Sequence, residues 1–131
     1  MLRPRLTFKA DPATRILFVR WIGDMPGRDI VDGMIGHMKT MEQPWTYDMV
    51  IDLLRFEGHL HLPESDALGQ VWRELAQGRD AGRRSAIVTG DPLLAARLSM
   101  TRETFPGRTL AMFGQVQEAL TWLATAQPSA A

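Results

Sequence analysis

The sequence predicts an α/β fold, in which a mostly parallel sheet with an N-terminal antiparallel hairpin carries helices packed on it. Two observations lead to this prediction. Segments with the two-residue period of strands alternate along the chain with segments whose apolar residues recur every three or four positions, as in helices. The first two strand-like segments follow one another across a short turn. The predicted order is ββαβαβαβα, because strands that alternate with helices form parallel sheets through right-handed crossovers.

The length of 131 residues indicates a single domain. A chain of this size buries roughly two-thirds of the surface that its unfolded form exposes. Its 45% hydrophobic residues are ordinary for a globular protein. We therefore expect one domain over residues 1–126, followed by a disordered tail over residues 127–131.

The hairpin is predicted from two short segments, residues 5–10 and 15–22. Leu6 and Phe8 alternate with polar residues, as in a strand with one buried face. The connecting residues, Asp-Pro-Ala at 11–13, are typical of a turn. Since few residues separate the two segments, we expect them to pair as antiparallel neighbours.

The first helix is predicted over residues 27–41. Apolar residues recur at intervals of three and four from Ile30 onward, which places them on one face. Gly33 and Gly36 cost roughly 1 kcal/mol each inside a helix relative to alanine. Being three apart, they share a face, and we expect close packing there against the sheet or a second subunit.

The remaining elements follow from the same periods and from turn and capping residues. The central strand is nearly continuously apolar, as expected of a parallel strand buried on both faces. Asp91 and Pro92 suit the N-cap and first position of a helix. The strands are predicted at residues 45–54, 85–89 and 109–113, and the helices at residues 63–77, 92–100 and 115–126.

Composition excludes several classes of function. The chain has no cysteine, which removes disulfides, thiolate nucleophiles and thiolate metal sites. Its formal net charge is zero, so nucleic-acid binding has no electrostatic support. No apolar stretch approaches the roughly 20 residues of a membrane span, and no secretory signal is visible. We predict a soluble, cytoplasmic protein without a transmembrane segment.

The segment Phe-Glu-Gly-His-Leu-His at residues 56–61 contains two histidines, His59 and His61. In an extended segment, side chains two apart point to the same side, so the pair could chelate a divalent ion. Glu57 or Glu64 could complete the set. Such a pair has low specificity, so both histidines are weak metal candidates, and the prediction is that no metal or other cofactor is bound.

No signature of catalysis is present. The sequence lacks a GxxxxGK[ST] phosphate loop, a GxGxxG turn after a strand and a GxSxG elbow. Asp48 and Asp52, four apart on the central strand, are better interpreted as flanking groups than as an acid–base pair. We therefore predict no catalytic residues and no enzymatic activity, and a metal-dependent enzyme ranks third among the functions considered.

A polar surface is predicted where the parallel strands end. Ligands of open α/β sheets lie outside the carboxyl ends of the strands. Here those ends lead into loops that precede helices, although acidic side chains on the same rim would repel an anion. The residues predicted for this polar surface are Asp24, Glu57, His59, Thr89 and Asp91.

An apolar site is the alternative. The third helix is apolar on more than one face, and the first two helices add methionines and a tryptophan, which is more apolar surface than one sheet face hides. The simplest interpretation is a core plus a homodimer interface. The functional interpretation is a cleft between the second and third helices for a lipid-like ligand, lined by Phe56, Trp72, Leu94, Leu98 and Met100.

Four stretches of the sequence resemble the STAS domain, and within it the SpoIIAA-like branch. Asp52 and the following Arg-Phe-Glu-Gly at 55–58 are similar to an acidic turn of that family. Val-Trp-Arg-Glu-Leu at 71–75 resembles its tryptophan-bearing second helix. Ser-Ala-Ile-Val-Thr-Gly-Asp at 85–91 resembles its fourth strand, and residues 112–123 are similar to its closing segment.

The resemblance implies a regulatory function through protein–protein contacts, and its lipid-exchange relatives imply burial of an amphipathic ligand under helices. Phosphorylated antagonists of the family carry a serine at the start of the second helix. This sequence has His59 and His61 there, and Ser65 lies further on. We predict a non-enzymatic binding or regulatory module with a protein partner, forming a homodimer. The alternative is a carrier or sensor of a small amphipathic or lipid-like ligand, at a membrane edge.

Overall fold

The structure is a computed structural model and describes residues 3–59, 61–99 and 105–125. Met100 and the tail at 127–131 lie outside these described residues. The strands are β1 (Arg5–Asp11), β2 (Ile16–Gly23), β3 (Asp48–Phe56), β4 (Arg83–Val88) and β5 (Arg108–Phe113). The helices are α1 (Gly27–Thr40), α2 (Leu62–Ala76), α3 (Pro92–Ser99) and α4 (Val116–Ala124).

The strands form one sheet in the order β1-β2-β3-β4-β5. Strand β1 pairs antiparallel with β2, and every later neighbouring pair is parallel. The hairpin turn follows the predicted chemistry, because the Ala13 N–H donates a 3.0 Å hydrogen bond to Asp11 Oδ1. Both the predicted fold class and the order of elements are confirmed.

Each face of the sheet buries its own core. On one face, Leu17, Val19 and Trp21 alternate along β2 and join the larger core with side chains of α1 and α2. On the other face, Val50 and Ala119 belong to a smaller core beneath α4. No helix in the described part of the chain is long and apolar enough to cross a membrane.

The start of the central strand differs from the prediction. Strand β3 begins at Asp48 and is preceded by a single 3-10 turn, Pro44–Thr46, where the sequence predicted strand from residue 45. Gln43 adopts a left-handed backbone with φ of 53°, and the Thr46 N–H donates to the Gln43 carbonyl at 3.0 Å. The apolar Trp45 resembles a strand residue, but its ring lies 3.6 Å below the guanidinium carbon of Arg79.

Helix α4 is attached to the sheet by a buried arginine. Arg84 Nη1 donates to the Trp122 carbonyl at 2.7 Å and to Thr125 Oγ1 at 2.8 Å. The guanidinium also lies 5.1 Å from the Trp122 ring centre. A cation at the C-terminal end of a helix stabilises the exposed carbonyls there, so Arg84 fixes the end of α4 against the start of β4.

The two glycines of α1 differ in their surroundings. A Cβ at Gly33 would lie 2.5 Å from Leu6 Cδ1, which fits close packing against β1, whereas a Cβ at Gly36 would meet nothing within 4 Å. We expect Gly36→Ala to raise the free energy of unfolding by about 0.5–1 kcal/mol, since alanine loses less backbone entropy in a helix. Gly33→Ala should give no gain, because Leu6 must move. Urea denaturation measures both, and equal gains would contradict the packing.

His37 on α1 stacks against Phe8, with ring centres 4.0 Å apart. Its Nε2 atom is buried and has no hydrogen-bond partner among the described residues, and burial lowers the pKa of His37 from 6.5. Below that pH the unfolded chain takes up the proton first, so the folded state loses stability as pH falls.

We therefore expect the urea midpoint to fall between pH 7.5 and 5, and to fall less for His37→Gln than for the wild type. His59→Gln is the matched control, because His59 is exposed, and it should follow the wild-type profile. Identical profiles for all three proteins would show that His37 contributes nothing to the pH dependence.

Candidate functional site

A groove of about 380 Å³ lies where β3 and β4 end and α3 begins. We call it the strand-end groove. Parallel strands bring their carboxyl ends to one edge of the sheet, and Asp52 and Val88 form the last β3–β4 pair before it. The side contributed by β3 and its following loop consists of Leu53, Leu54, Phe56 and residues 57–59. The side contributed by β4 and α3 consists of residues 89–91, Leu93, Leu94 and Arg97.

The β4 side of the groove is held rigidly. The Thr89 N–H donates to the Phe113 carbonyl at 2.9 Å, and Thr89 Oγ1 accepts from the Asp91 N–H at 3.1 Å. Asp91 Oδ1 accepts from the Leu93 N–H at 3.0 Å, which caps the first turn of α3 as predicted. One carboxylate oxygen of Asp91 therefore fixes the position of the Leu93 backbone.

The β3 side is fixed by backbone contacts to the loop after β2. The Glu57 N–H donates to the Gly23 carbonyl at 2.9 Å. A Cβ at Gly58 would lie 2.8 Å from the Met25 carbonyl oxygen, so only glycine fits this approach. Phe56 packs its ring edge-on against Trp21 with centres 5.3 Å apart. The aromatic ring at this end of the groove is thus anchored to the core.

Two large apolar side chains of the groove are open to solvent. Leu54 is 50% exposed and Leu93 is 73% exposed, and these two are the exposed large hydrophobic side chains of the described residues. The Leu54 backbone is held by its N–H donating to Asp52 Oδ1 at 3.0 Å, while Asp52 Oδ2 pairs with Arg20 Nε at 3.2 Å. The groove therefore presents two exposed apolar side chains beside its polar groups.

The structure brings together most of the residues predicted for the polar surface. Glu57, His59, Thr89 and Asp91 all line the strand-end groove. Asp24 is exposed in the loop after β2 and is not part of the lining. The predicted site residues did not include Leu54, Leu93 or Arg97. The sequence does not single out Leu54, since the adjacent leucines at 53 and 54 face opposite sides of a sheet that carries a core on each face.

The residues predicted for an apolar cleft are divided between two places. Phe56 and Leu94 line the strand-end groove. Trp72, which is 2% exposed, and Leu98 instead line a separate cavity of about 70 Å³ inside the larger core. We call this the core cavity; its lining includes Trp21, Met49, Ser65, Trp72, Ser85, Ile87, Leu98, Arg108 and Leu110. Met100 lies outside the described residues.

The two weak metal candidates, His59 and His61, are not joined by a third ligand among the described residues. The His59 and His61 rings lie 6.5 Å apart and are tilted by 31°. The Glu64 carboxylate occupies the space that a Cβ at Gly27 would take. No group of three or more His, Asp or Glu side chains placed to hold a metal ion occurs within residues 3–59, 61–99 and 105–125. The absence of a metal remains a prediction.

Ser65 is the first serine after the two histidines, and its side chain is buried. It sits in the first half of α2 and is 5% exposed. Its N–H donates to the His61 carbonyl at 3.1 Å, within the first turn of the helix. A buried hydroxyl is a poor substrate for a kinase, so Ser65 is not placed to act as a phosphorylation switch in this conformation.

The chain has the SpoIIAA-like fold, the fold of STAS domains. It is similar to an uncharacterized protein of the DUF3478 family with a SpoIIAA-like fold from Shewanella loihica, with a TM-score of 0.55 and 18% identity over 95% of this chain and 96% of that one. It is also similar to an anti-sigma factor antagonist from Mycobacterium paratuberculosis, with a TM-score of 0.53 and 18% identity over 92% and 96%. No family model matches the sequence, and no curated protein does.

Proposed function

We propose that this protein is a non-enzymatic regulatory module that binds a protein partner through the strand-end groove. The observation that carries the proposal is the position of Leu54 and Leu93, whose exposed side chains both line this groove. Apolar side chains that are exposed on rigid backbone are typical of docking surfaces, because they lose little entropy on binding. The likeness in fold to an anti-sigma factor antagonist supports a function through protein contacts.

The charges of the groove indicate the chemistry of the partner. Glu57 and Asp91 carry negative charge on the rim, and Arg97 lies on the α3 side. Asp24 is exposed and follows Gly23, whose carbonyl accepts from the Glu57 N–H. A partner segment with an aliphatic or aromatic side chain for the leucines and a basic residue for the carboxylates would complement this surface. Such pairing gives orientation and speed of association more than affinity.

The lipid-carrier alternative is less well supported. Trp72 and Leu98 line the core cavity, whose volume of about 70 Å³ is roughly half of the 150 Å³ that holds one benzene. An acyl chain of more than about four carbons does not fit there. The predicted homodimer and cytoplasmic location remain predictions, and a second copy in the groove is one outcome of the following test.

Affinity capture tests the proposal with three forms of the protein. The wild type, the double variant Leu54→Asp/Leu93→Asp and the control Thr121→Asp are each used as bait in extract of the source organism. Thr121 is exposed on α4 and lies outside the groove. Thr121→Asp therefore adds a surface aspartate, as the double variant does, without changing the groove. Circular dichroism verifies that all three baits are folded.

We expect at least one protein to co-purify with the wild type and with Thr121→Asp, and to be lost from the double variant. Equal recovery from all three baits would place the partner surface elsewhere. Concentration-dependent dimerisation that the double variant abolishes, with no other protein retained, would assign the groove to a second copy and refute the proposed partner.

A further inference from the structure

A buried arginine lines the core cavity. Arg108, the first residue of β5, is 8% exposed. Its Nε donates to Ser85 Oγ at 2.8 Å, and its Nη2 donates to the carbonyl oxygens of Tyr47 at 2.7 Å and Arg84 at 3.1 Å. These acceptors are all neutral, so the hydrogen bonds orient the guanidinium without neutralising its charge.

The charge of Arg108 meets the ring of Trp72, whose centre lies 5.5 Å from the guanidinium carbon. No ion pair within 4.0 Å joins Arg108 to a carboxylate of the described residues. Burial lowers the pKa of Arg108 to about 10, against the opposing effect of Asp80. Asp80 is itself buried and accepts from Trp72 Nε1 at 2.7 Å. The guanidinium therefore remains charged at neutral pH in a place that favours a further negative group.

One guanidinium nitrogen of Arg108 is an unpaired donor within the described part of the chain. Arg108 Nη1 is buried and has no hydrogen-bond partner among the residues that the structure describes. Buried polar atoms are nearly always paired, so an unpaired donor on a residue that lines a cavity points to a ligand. Trp21 Nε1 is also unpaired and Trp21 lines the same cavity. The strands that carry Trp21 and Arg108, β2 and β5, are three strand spacings apart, or about 14 Å. We place the site at Arg108, because its guanidinium carries the positive charge.

We propose that the core cavity binds a short-chain carboxylic acid as its anion, with Nη1 of Arg108 donating to the carboxylate. A carboxylate accepts hydrogen bonds without needing a donor back, and guanidinium groups match its geometry. The volume of about 70 Å³ limits the ligand to roughly two to four carbons, by comparison with the cavity that holds benzene. Met49, Ile87 and Leu110 also line the cavity and would contact the alkyl end.

Thermal unfolding with sodium propionate tests the site in the intact protein. Propionamide, which has the same shape without the charge, and sodium chloride at matched ionic strength are the controls. We expect propionate alone to raise Tm in a saturable manner, by roughly 5 °C at about ten times its dissociation constant. Equal shifts with propionamide or chloride, or no shift with propionate, would overturn the proposal.

Variants and side-chain spectra test whether the propionate response arises at Arg108. Arg108→Met should lose the propionate response, while Arg28→Met, which removes an exposed arginine, should keep it. If Arg108→Met does not fold, the ¹⁵N spectrum of the wild type decides the matter. Propionate must then shift the Arg108 Nε–H signal and leave that of Arg28 unchanged. An unmoved Arg108 signal would mean that Nη1 is satisfied by an ordered water only, which refutes the proposed site.

Discussion

Replacing Asp80 by alanine is expected to lower the free energy of unfolding by about 3 kcal/mol. Asp80 is 3% exposed and accepts the Trp72 indole N–H at 2.7 Å. It also provides the negative charge that acts most strongly on the buried Arg108. Removing the carboxylate leaves one buried donor unpaired and one buried cation without its main countercharge, and both effects destabilise the folded state.

Two further variants separate these contributions. Asp80→Asn keeps an acceptor for Trp72 and removes only the charge, so we expect a loss of about 1–2 kcal/mol. Asp32→Ala removes an exposed carboxylate of α1 and should change stability by no more than about 0.5 kcal/mol. Urea denaturation followed by circular dichroism provides the values. A loss below about 1 kcal/mol for Asp80→Ala would show that the buried network stabilises the fold little.

Replacing Leu93 by aspartate is expected to weaken partner binding at least 30-fold, or about 2 kcal/mol. Leu93 is the most exposed of the large apolar side chains in the described chain and is positioned by the Asp91 cap of α3. An aspartate at position 93 would lose its hydration against the apolar side chain that the partner is proposed to place there. The protein's own stability should change by no more than about 0.5 kcal/mol, because the leucine is already in water.

The charges on the rim of the groove should affect the rate of association with the partner. Glu57→Gln is expected to slow association with the partner and to reduce its dependence on salt, with a smaller effect on dissociation. Leu93→Asp should act mainly on dissociation. Biolayer interferometry with the captured partner measures both rates. Binding that tolerates Leu93→Asp, with Thr121→Asp as the reference, would remove the leucine from the interface.

The fold could be predicted from sequence because its local signals agree with one another. Alternating residues in β1 and the Asp11 turn define the hairpin, and Asp91 with Pro92 defines the start of α3. The 3-10 turn before β3 was missed because it depends on the left-handed backbone of Gln43, a residue that gives no warning of it.

The site was predicted in part, for a physical reason. The carboxyl ends of parallel strands meet at one edge, so Glu57, Thr89 and Asp91 could be expected to lie together. Trp72 was assigned to a cleft because its helical spacing fits both a surface and a core. Its partner Asp80 lies in the loop beyond α2, and no local pattern indicates that hydrogen bond.

Arg108 illustrates what sequence alone does not reveal. An arginine at the start of a strand resembles a solvated surface residue, and such side chains are rarely buried. Two of its three acceptors are carbonyl oxygens of Tyr47 and Arg84, which belong to neighbouring segments of the fold rather than to its own. Main-chain acceptors have no signature in the sequence, so the buried guanidinium became visible only once the sheet was assembled.

Site-directed crosslinking in living cells tests the central claim most directly. A photoreactive benzoyl-phenylalanine is placed at position 93 in the strand-end groove or, as the reference, at the exposed position 121 of α4. We predict a discrete adduct with another protein from position 93 and none from position 121. An adduct from position 121 alone, or none from position 93 while the protein is folded and expressed, would contradict the assignment of the groove as the partner-binding surface.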